Sequence, residues 1–99
     1  MTADGAQAMS LTVIVPSMLR QYAAGVGELS LSARTVREAL EQLEREHLSL
    51  YRCVCDETGL VRRHVNLFVN SDHVRDLSGV DTALRPGDLL FILPSVSGG

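Results

Sequence analysis

The sequence predicts one small α+β domain, in which a mixed sheet of four to five strands packs on one main helix. Three observations support this: short segments near both ends alternate polar and apolar residues, a central stretch is amphipathic at helical spacing, and residues 89–93 are all large and apolar. The length of 99 residues suits a single core. We expect residues 10–94 to form the domain, between a disordered leader at 1–9 and a flexible tail at 95–99.

The first two strands are predicted to form a hairpin. Residues 10–15 alternate polar and apolar side chains, and Pro16 ends the segment because proline has no amide hydrogen to donate. Gly25 and Gly27 permit a turn, after which residues 28–32 alternate again.

The main helix is predicted to begin at a capping box. Thr35 and Glu38 have the required spacing, with the Thr35 hydroxyl accepting the Glu38 amide and the Glu38 carboxylate reaching back to the cap residue. Apolar residues then recur on one helical face as far as His47, while charged residues occupy the other face. An amphipathic helix of about three turns follows from this pattern.

Residues 48–63 fit two interpretations. Tyr51, Cys53 and Cys55 alternate as they would in a strand, but the segment also fits an irregular turn, and the sequence does not decide between the two. The cysteine spacing matches neither a redox Cys-x-x-Cys pair nor half of a four-cysteine zinc site. We therefore expect two reduced thiols.

The C-terminal third is predicted to contain three strands. Residues 64–70 alternate strongly, and residues 73–75 follow a turn as a short strand. Pro86 and Gly87 stand in the order that a type II turn requires. The apolar run at 89–93 favours a strand in the centre of the sheet, where both faces are covered.

Charge and composition exclude several functions. The net charge of −3 argues against a nucleic acid or an anionic membrane bound by a basic surface. All nine basic residues are arginine, so the chain has no side-chain amine. No secretory signal or bilayer-spanning stretch is present in the sequence, so we expect a cytoplasmic protein. The three histidines and two cysteines have no recognised metal-ligand spacing, and we predict neither a metal site nor a catalytic side chain. The start of the natural protein, Met1 or Met9, stays open.

The order of these elements resembles the β-grasp of ubiquitin-like proteins. Residues 85–88, Arg-Pro-Gly-Asp, and 93–99, Leu-Pro-Ser-Val-Ser-Gly-Gly, resemble the ending shared by the molybdopterin-synthase small subunit and the thiamin and cysteine sulfur carriers. Residues 15–20 and 65–75 are most similar to the cysteine-biosynthesis carriers of actinobacteria. The resemblance covers residues 11 to 99 and is weakest from 48 to 63.

This resemblance implies that the functional group is the carboxylate of Gly99. A MoeB/ThiF-like E1 enzyme would adenylate it with Mg-ATP, and a sulfur source would convert it to a thiocarboxylate. A sulfur-accepting synthase, such as a PLP-dependent cysteine synthase, would then take the sulfur. ATP and Mg bind the partner, so this chain is a carrier and not an enzyme, with no cofactor of its own. Val96, Ser97 and Gly98 would thread into the partner's channel, where a Cβ at either terminal glycine would collide with the walls.

The last strand is expected to supply a docking surface beside the tail. Alternation places Leu90 and Ile92 on one face and Phe91 and Leu93 on the other. By analogy with ubiquitin-like registers, we assign Leu90 and Ile92 to the core and Phe91 and Leu93 to an exposed apolar patch that docks a partner. The alternative is that both pairs are buried.

Three other functions fit part of the sequence. One is the small subunit of molybdopterin synthase, whose tail enters a large subunit, and another is a passive interaction module. The third is a ubiquitin-like modifier that joins Gly99 to lysines of target proteins. Because this chain contains no lysine, it cannot form lysine-linked chains with itself, although single attachment is still allowed.

Overall fold

The computed structural model describes residues 10–95, so the leader at 1–9 and residues 96–99 lie outside the described part of the chain. Within it, one mixed sheet of five strands packs against two helices. The strands are β1 (Ser10–Ile14), β2 (Glu28–Ser32), β3 (Val65–Val69), β4 (Asp72–His73) and β5 (Leu89–Pro94), and the helices are α1 (Val36–Glu46) and α2 (Leu48–Val54).

The strand order is β2-β1-β5-β3-β4, which places the C-terminal strand in the middle of the sheet. β5 pairs in parallel with β1, with Val13 opposite Leu90, and antiparallel with β3, with Leu67 opposite Ile92. These four side chains are at most 1% exposed. The predicted central position of the apolar strand is therefore confirmed.

The connection from β1 to β2 contains more structure than the predicted turn. Residues Ser17–Ala23 form a 3-10 helix, and the chain then turns through Ala24 and Gly25, whose φ angles are 57° and 82°. The Arg20 side chain fixes this connection to the sheet because its Nε donates to the Val15 carbonyl at 3.1 Å. The hairpin itself is as predicted, with β2 antiparallel to β1.

The main helix begins where the capping box predicts. The Thr35 hydroxyl accepts the Glu38 amide at 3.2 Å. The Glu38 carboxylate, however, accepts the amide of Arg34 at 2.9 Å, one residue before the cap, instead of the amide of Thr35 itself. The Thr35 hydroxyl therefore satisfies one free amide of the first helical turn, while the Glu38 carboxylate connects the helix to the residue before the cap.

Residues 48–63 were interpreted as either a strand or an irregular turn, and both interpretations are wrong for the first part of this segment. Leu48–Val54 forms a short helix, α2. Leu50 and Val54, four residues apart, are both fully buried, so the segment presents a helical face to the core. Tyr51 and Cys53 are only half-buried. Their alternation in the sequence therefore did not reflect burial.

The short fourth strand also begins earlier than predicted. β4 is Asp72–His73, and Val74–Asp76 turns into a 3-10 helix instead of extending the strand. The type II turn before β5 is confirmed, because Gly87 has a φ of 87° and the Asp88 amide donates to the Arg85 carbonyl at 3.0 Å.

The cap of α1 gives a direct test of local stability. Thr35→Ala removes the hydroxyl that accepts the Glu38 amide, and we expect the free energy of unfolding to fall by about 1 kcal/mol. Thr35→Ser keeps an equivalent acceptor and should lose much less. Urea unfolding followed by circular dichroism measures both, and an equal loss for the two variants would contradict the capping role.

Candidate functional site

The described C-terminal segment leaves the sheet from its centre. β5 lies between β1 and β3, and its last residue, Pro94, is opposite Val65. The next residue, Ser95, donates its amide hydrogen to the His64 carbonyl. The chain is thus held at Ser95, the first residue of the predicted tail. Four predicted site residues lie outside the described part of the chain, namely Val96, Ser97, Gly98 and Gly99.

The two faces of β5 differ as predicted. Leu90 and Ile92 are 0% exposed and belong to the core, whereas Leu93 is 44% exposed and Phe91 is half-buried. The assignment of faces is confirmed, and the alternative in which both pairs are buried is wrong. The docking role of Phe91 and Leu93 stays a prediction.

Apolar side chains from three strands meet on the face of the sheet that points away from the helices. Phe91 lies opposite Ile14 of β1 and opposite Phe68 of β3, and all three are half-buried. Together with Leu93 they form what we call the outer apolar row. Aromatic and β-branched pairs across strands stabilise a sheet by roughly 0.2–1 kcal/mol each. The row is therefore part of the fold, but a partner could still cover its exposed fraction.

A polar group accompanies this row at the point where the chain leaves the sheet. Asn66 lies opposite Leu93, and its Nδ2 donates to the Ser95 Oγ at 3.1 Å. His73, whose ring packs edge-on against Phe68 with centroids 4.9 Å apart, places Nε2 3.0 Å from the Asn66 Oδ1. The sequence did not identify Asn66 or His73 as site residues, because their proximity to Ser95 depends on the register of β3, β4 and β5.

The two cysteines lie in and just after α2. Cys53 is half-buried and Cys55 is 1% exposed, and both are free thiols. Burial raises the pKa of both thiols, and that of Cys55 reaches about 11. Because only the thiolate is a strong nucleophile, neither group is suited to nucleophilic chemistry at neutral pH.

A cleft of about 630 Å³ lies beside the end of α2. Its lining residues fall between Glu44 and Arg62, so it includes no residue of β5 or of the outer apolar row. Among residues 10–95, no group of three or more His, Cys, Asp and Glu side chains is placed to hold a metal ion. No helix in this part of the protein has the length and apolar character needed to cross a bilayer.

A five-stranded mixed sheet on helices, with β5 central and parallel to β1, defines a β-grasp protein. The model of one family, described as the ThiS family, matches residues 13–99, and the chain belongs to that family. This match confirms the family resemblance that the sequence analysis based on the terminal motif.

Individual relatives agree with this assignment. The sulfur carrier protein CysO of Mycobacterium tuberculosis is 34% identical over 93 residues, which cover 92% of this chain and all of the relative. The crystal structure of the Amycolatopsis orientalis BexX/CysO complex contains a chain with a TM-score of 0.81 and 31% identity, covering 90% of this chain and 99% of that one. The small archaeal modifier protein 1 of Methanosarcina acetivorans has a TM-score of 0.79 and 32% identity, covering 93% of this chain and 98% of that one.

The raised pKa of Cys55 predicts a pH dependence of stability. The ordinary pKa of a cysteine thiol is 9.0, whereas burial raises the pKa of Cys55 in the folded protein to about 11. Between these values the unfolded state loses a proton that the folded state keeps. We expect this group to leave the free energy of unfolding unchanged below pH 9.0 and to lower it by at most about 1.4 kcal/mol per pH unit above that value.

Urea unfolding between pH 7 and pH 11 tests this expectation. Cys55→Ala removes this contribution to the pH dependence of the free energy of unfolding. The difference in free energy of unfolding between wild type and Cys55→Ala should therefore shrink as the pH rises. Cys53→Ala serves as the control for a half-buried thiol. Parallel pH profiles for wild type and Cys55→Ala would show that the buried thiol does not resist ionisation.

Proposed function

We propose that this chain is a sulfur carrier whose Gly99 carboxylate is adenylated by an E1-like enzyme of the MoeB/ThiF-like type and then converted to a thiocarboxylate. The thiocarboxylate donates sulfur in the biosynthesis of cysteine or another thiolated metabolite. The observation that supports this most is the family match, which runs to residue 99 itself. The identity to a named sulfur carrier over that relative's whole length supports it further.

The chemistry requires only the chain end from this protein. The α-carboxyl group has an ordinary pKa of roughly 3.3–3.7, so it is ionised at neutral pH and one oxygen attacks the α-phosphorus of ATP, releasing pyrophosphate. A sulfide equivalent then attacks the carbonyl carbon of the acyl adenylate, and AMP leaves. One carboxylate oxygen is thereby replaced by sulfur. The partner supplies Mg-ATP, and no base on this chain is needed.

The structure supports the proposal through the place where the described chain leaves the sheet, at Ser95. β5 is held on both sides by other strands, and Ser95 is bonded to the sheet, so the tail begins from a rigid support beside the outer apolar row. We propose that Phe91 and Leu93 of this row contact the adenylating enzyme and the sulfur-accepting synthase, for example a PLP-dependent cysteine synthase. The structure of a relative bound to BexX is a precedent for complexes with other proteins in this family.

Intact-mass spectrometry of the chain, after co-expression with an adenylating enzyme and a sulfur source, tests the proposed function. We expect one oxygen to be replaced by sulfur on the C-terminal peptide, and deletion of Gly99 should abolish the change. A Cys53→Ser/Cys55→Ser variant should still be modified, which separates a thiocarboxylate from a cysteine persulfide. Sulfur found only on the cysteines would refute the proposal.

The docking role of the outer apolar row has its own test. Leu93→Ser should raise the KM for this protein in the adenylation reaction by about fivefold, because a partly exposed leucine loses its burial against the enzyme. Leu60→Ser is the matched control, since Leu60 is 68% exposed but lies outside the sheet. Both variants should still unfold in one cooperative thermal transition well above the assay temperature, which shows that each is folded during the measurement. Equal KM values for the two variants would place the docking surface elsewhere.

A second candidate is a ubiquitin-like protein modifier, favoured by the likeness to the small archaeal modifier protein 1. Modifiers and carriers share the activated terminal glycine, so adenylation alone does not separate them. A modifier forms an amide bond between Gly99 and a lysine of another protein. Conjugates of higher mass in extracts of the source cells, lost when Gly99 is deleted, would favour this candidate over the carrier.

A further inference from the structure

A chain of side-chain hydrogen bonds connects the edge strand β4 with the first residue after β5. The Arg75 amide donates to the Nδ1 of His73 at 2.9 Å. Because Nδ1 accepts this bond, the ring proton of neutral His73 is on Nε2. Nε2 lies 3.0 Å from the Asn66 Oδ1 and therefore donates to it. The backbone amide of Arg75 thus determines the tautomer of His73.

The bond from His73 in turn fixes the orientation of the Asn66 amide. With Oδ1 engaged by the ring, Nδ2 points the other way, where it donates to the Ser95 Oγ at 3.1 Å and, at a longer 3.4 Å, to the Leu93 carbonyl. Reversing the amide would bring two donors together at His73 and leave Ser95 without its donor. Two partners therefore hold Ser95, the Asn66 side chain and the His64 carbonyl.

The location of these hydrogen bonds indicates a role in addition to stabilising the fold. Asn66 and His73 are half-buried on the face that carries the outer apolar row, and Asn66 is the cross-strand neighbour of the exposed Leu93. Ser95 itself is exposed, so the core does not hold its side chain. The Asn66 bond fixes it on the side of the sheet where the predicted docking surface lies.

We propose that Asn66, oriented by His73, is a positioning residue that sets the point and direction from which the chain leaves the domain after Ser95. This inference rests on the proposed carrier function. A chain fixed at Ser95 loses less conformational freedom when it enters the channel of an adenylating enzyme, since the ordering of that residue has already occurred on folding. The fixed position of Ser95 therefore strengthens binding to the enzyme and leaves the rate of the chemical step at Gly99 unchanged.

Steady-state adenylation kinetics of the full chain test the positioning role. Asn66→Ala should raise the KM by roughly two- to tenfold, the range expected for one hydrogen bond, and leave kcat unchanged. Ser95→Ala removes the acceptor alone and should raise the KM similarly. The double variant should be no worse than Asn66→Ala, because both changes remove the same interaction.

Asn70→Ala is the structural control at the other end of β3. Asn70 bonds to Asp88 and Leu89 and takes a φ of 56°, so its replacement should lower the thermal unfolding midpoint without changing the KM. A KM that rises in Asn70→Ala as much as in Asn66→Ala would assign the effect to general stability and overturn the proposal. Additive effects of Asn66→Ala and Ser95→Ala would overturn it as well.

NMR of the isolated full-length chain gives a readout that needs no partner. The heteronuclear NOE of the Ser95 amide should fall in Asn66→Ala, and the ¹⁵N shifts of His73 in the wild type should show a proton on Nε2. An unchanged NOE would refute the anchoring of Ser95 by Asn66, because the His64 carbonyl alone would then hold the residue. A lower NOE with unchanged KM would refute the positioning role and leave the carrier function standing. Wild-type protein that is never adenylated would refute both proposals.

Discussion

The pairing of β5 with two strands is the constraint on which the structure depends. β5 joins the N-terminal hairpin, through parallel pairing with β1, to the β3–β4 hairpin, through antiparallel pairing with β3. Its inward residues, Leu90 and Ile92, are completely buried between sheet and helices. Removal of the strand would separate the sheet into two ribbons, and isolated two-stranded ribbons are marginally stable at best. The pairing of β5 with β1 and β3 therefore closes the core and also supports the segment that ends at Ser95.

The proposed site contains no catalytic side chain, yet this arrangement gives the site a defined place on the sheet. The inward face of β5 supplies rigidity, and the outward face supplies Phe91 and Leu93 beside the exit of the chain. Chemistry at a free carboxylate needs presentation to a partner and does not need an internal base. The buried thiol of Cys55, with a pKa near 11, belongs to the packing of α2 against the core.

The sequence predicted those parts of the fold that depend on local pattern. The alternation of the strands, the cap of α1 at Thr35 and the turn at Gly87 each involve residues close together in the chain, and the structure contains all three. α2 was missed because seven residues show too little helical periodicity, while Tyr51 and Cys53 by chance alternate like a strand. Tertiary packing of Leu50 decided the outcome there.

The polar anchor at the exit could not be predicted for a different reason. Asn66, His73 and Ser95 belong to three separate segments, which meet only when β3 is in register with both neighbours. A shift of one residue in any of these pairings would turn one of the side chains to the opposite face. Their meeting is a property of the assembled sheet, and no window of the sequence contains it.

The central strand also follows every other strand in sequence, while its parallel partner β1 is the first strand of the domain. The pairing of Thr12 with Leu89 therefore joins segments from opposite ends of the domain. Contacts between distant segments form slowly, because the entropy of loop closure is lost before they stabilise the chain. We therefore expect the two hairpins to form early in folding and the parallel pairing of β1 with β5 to form late.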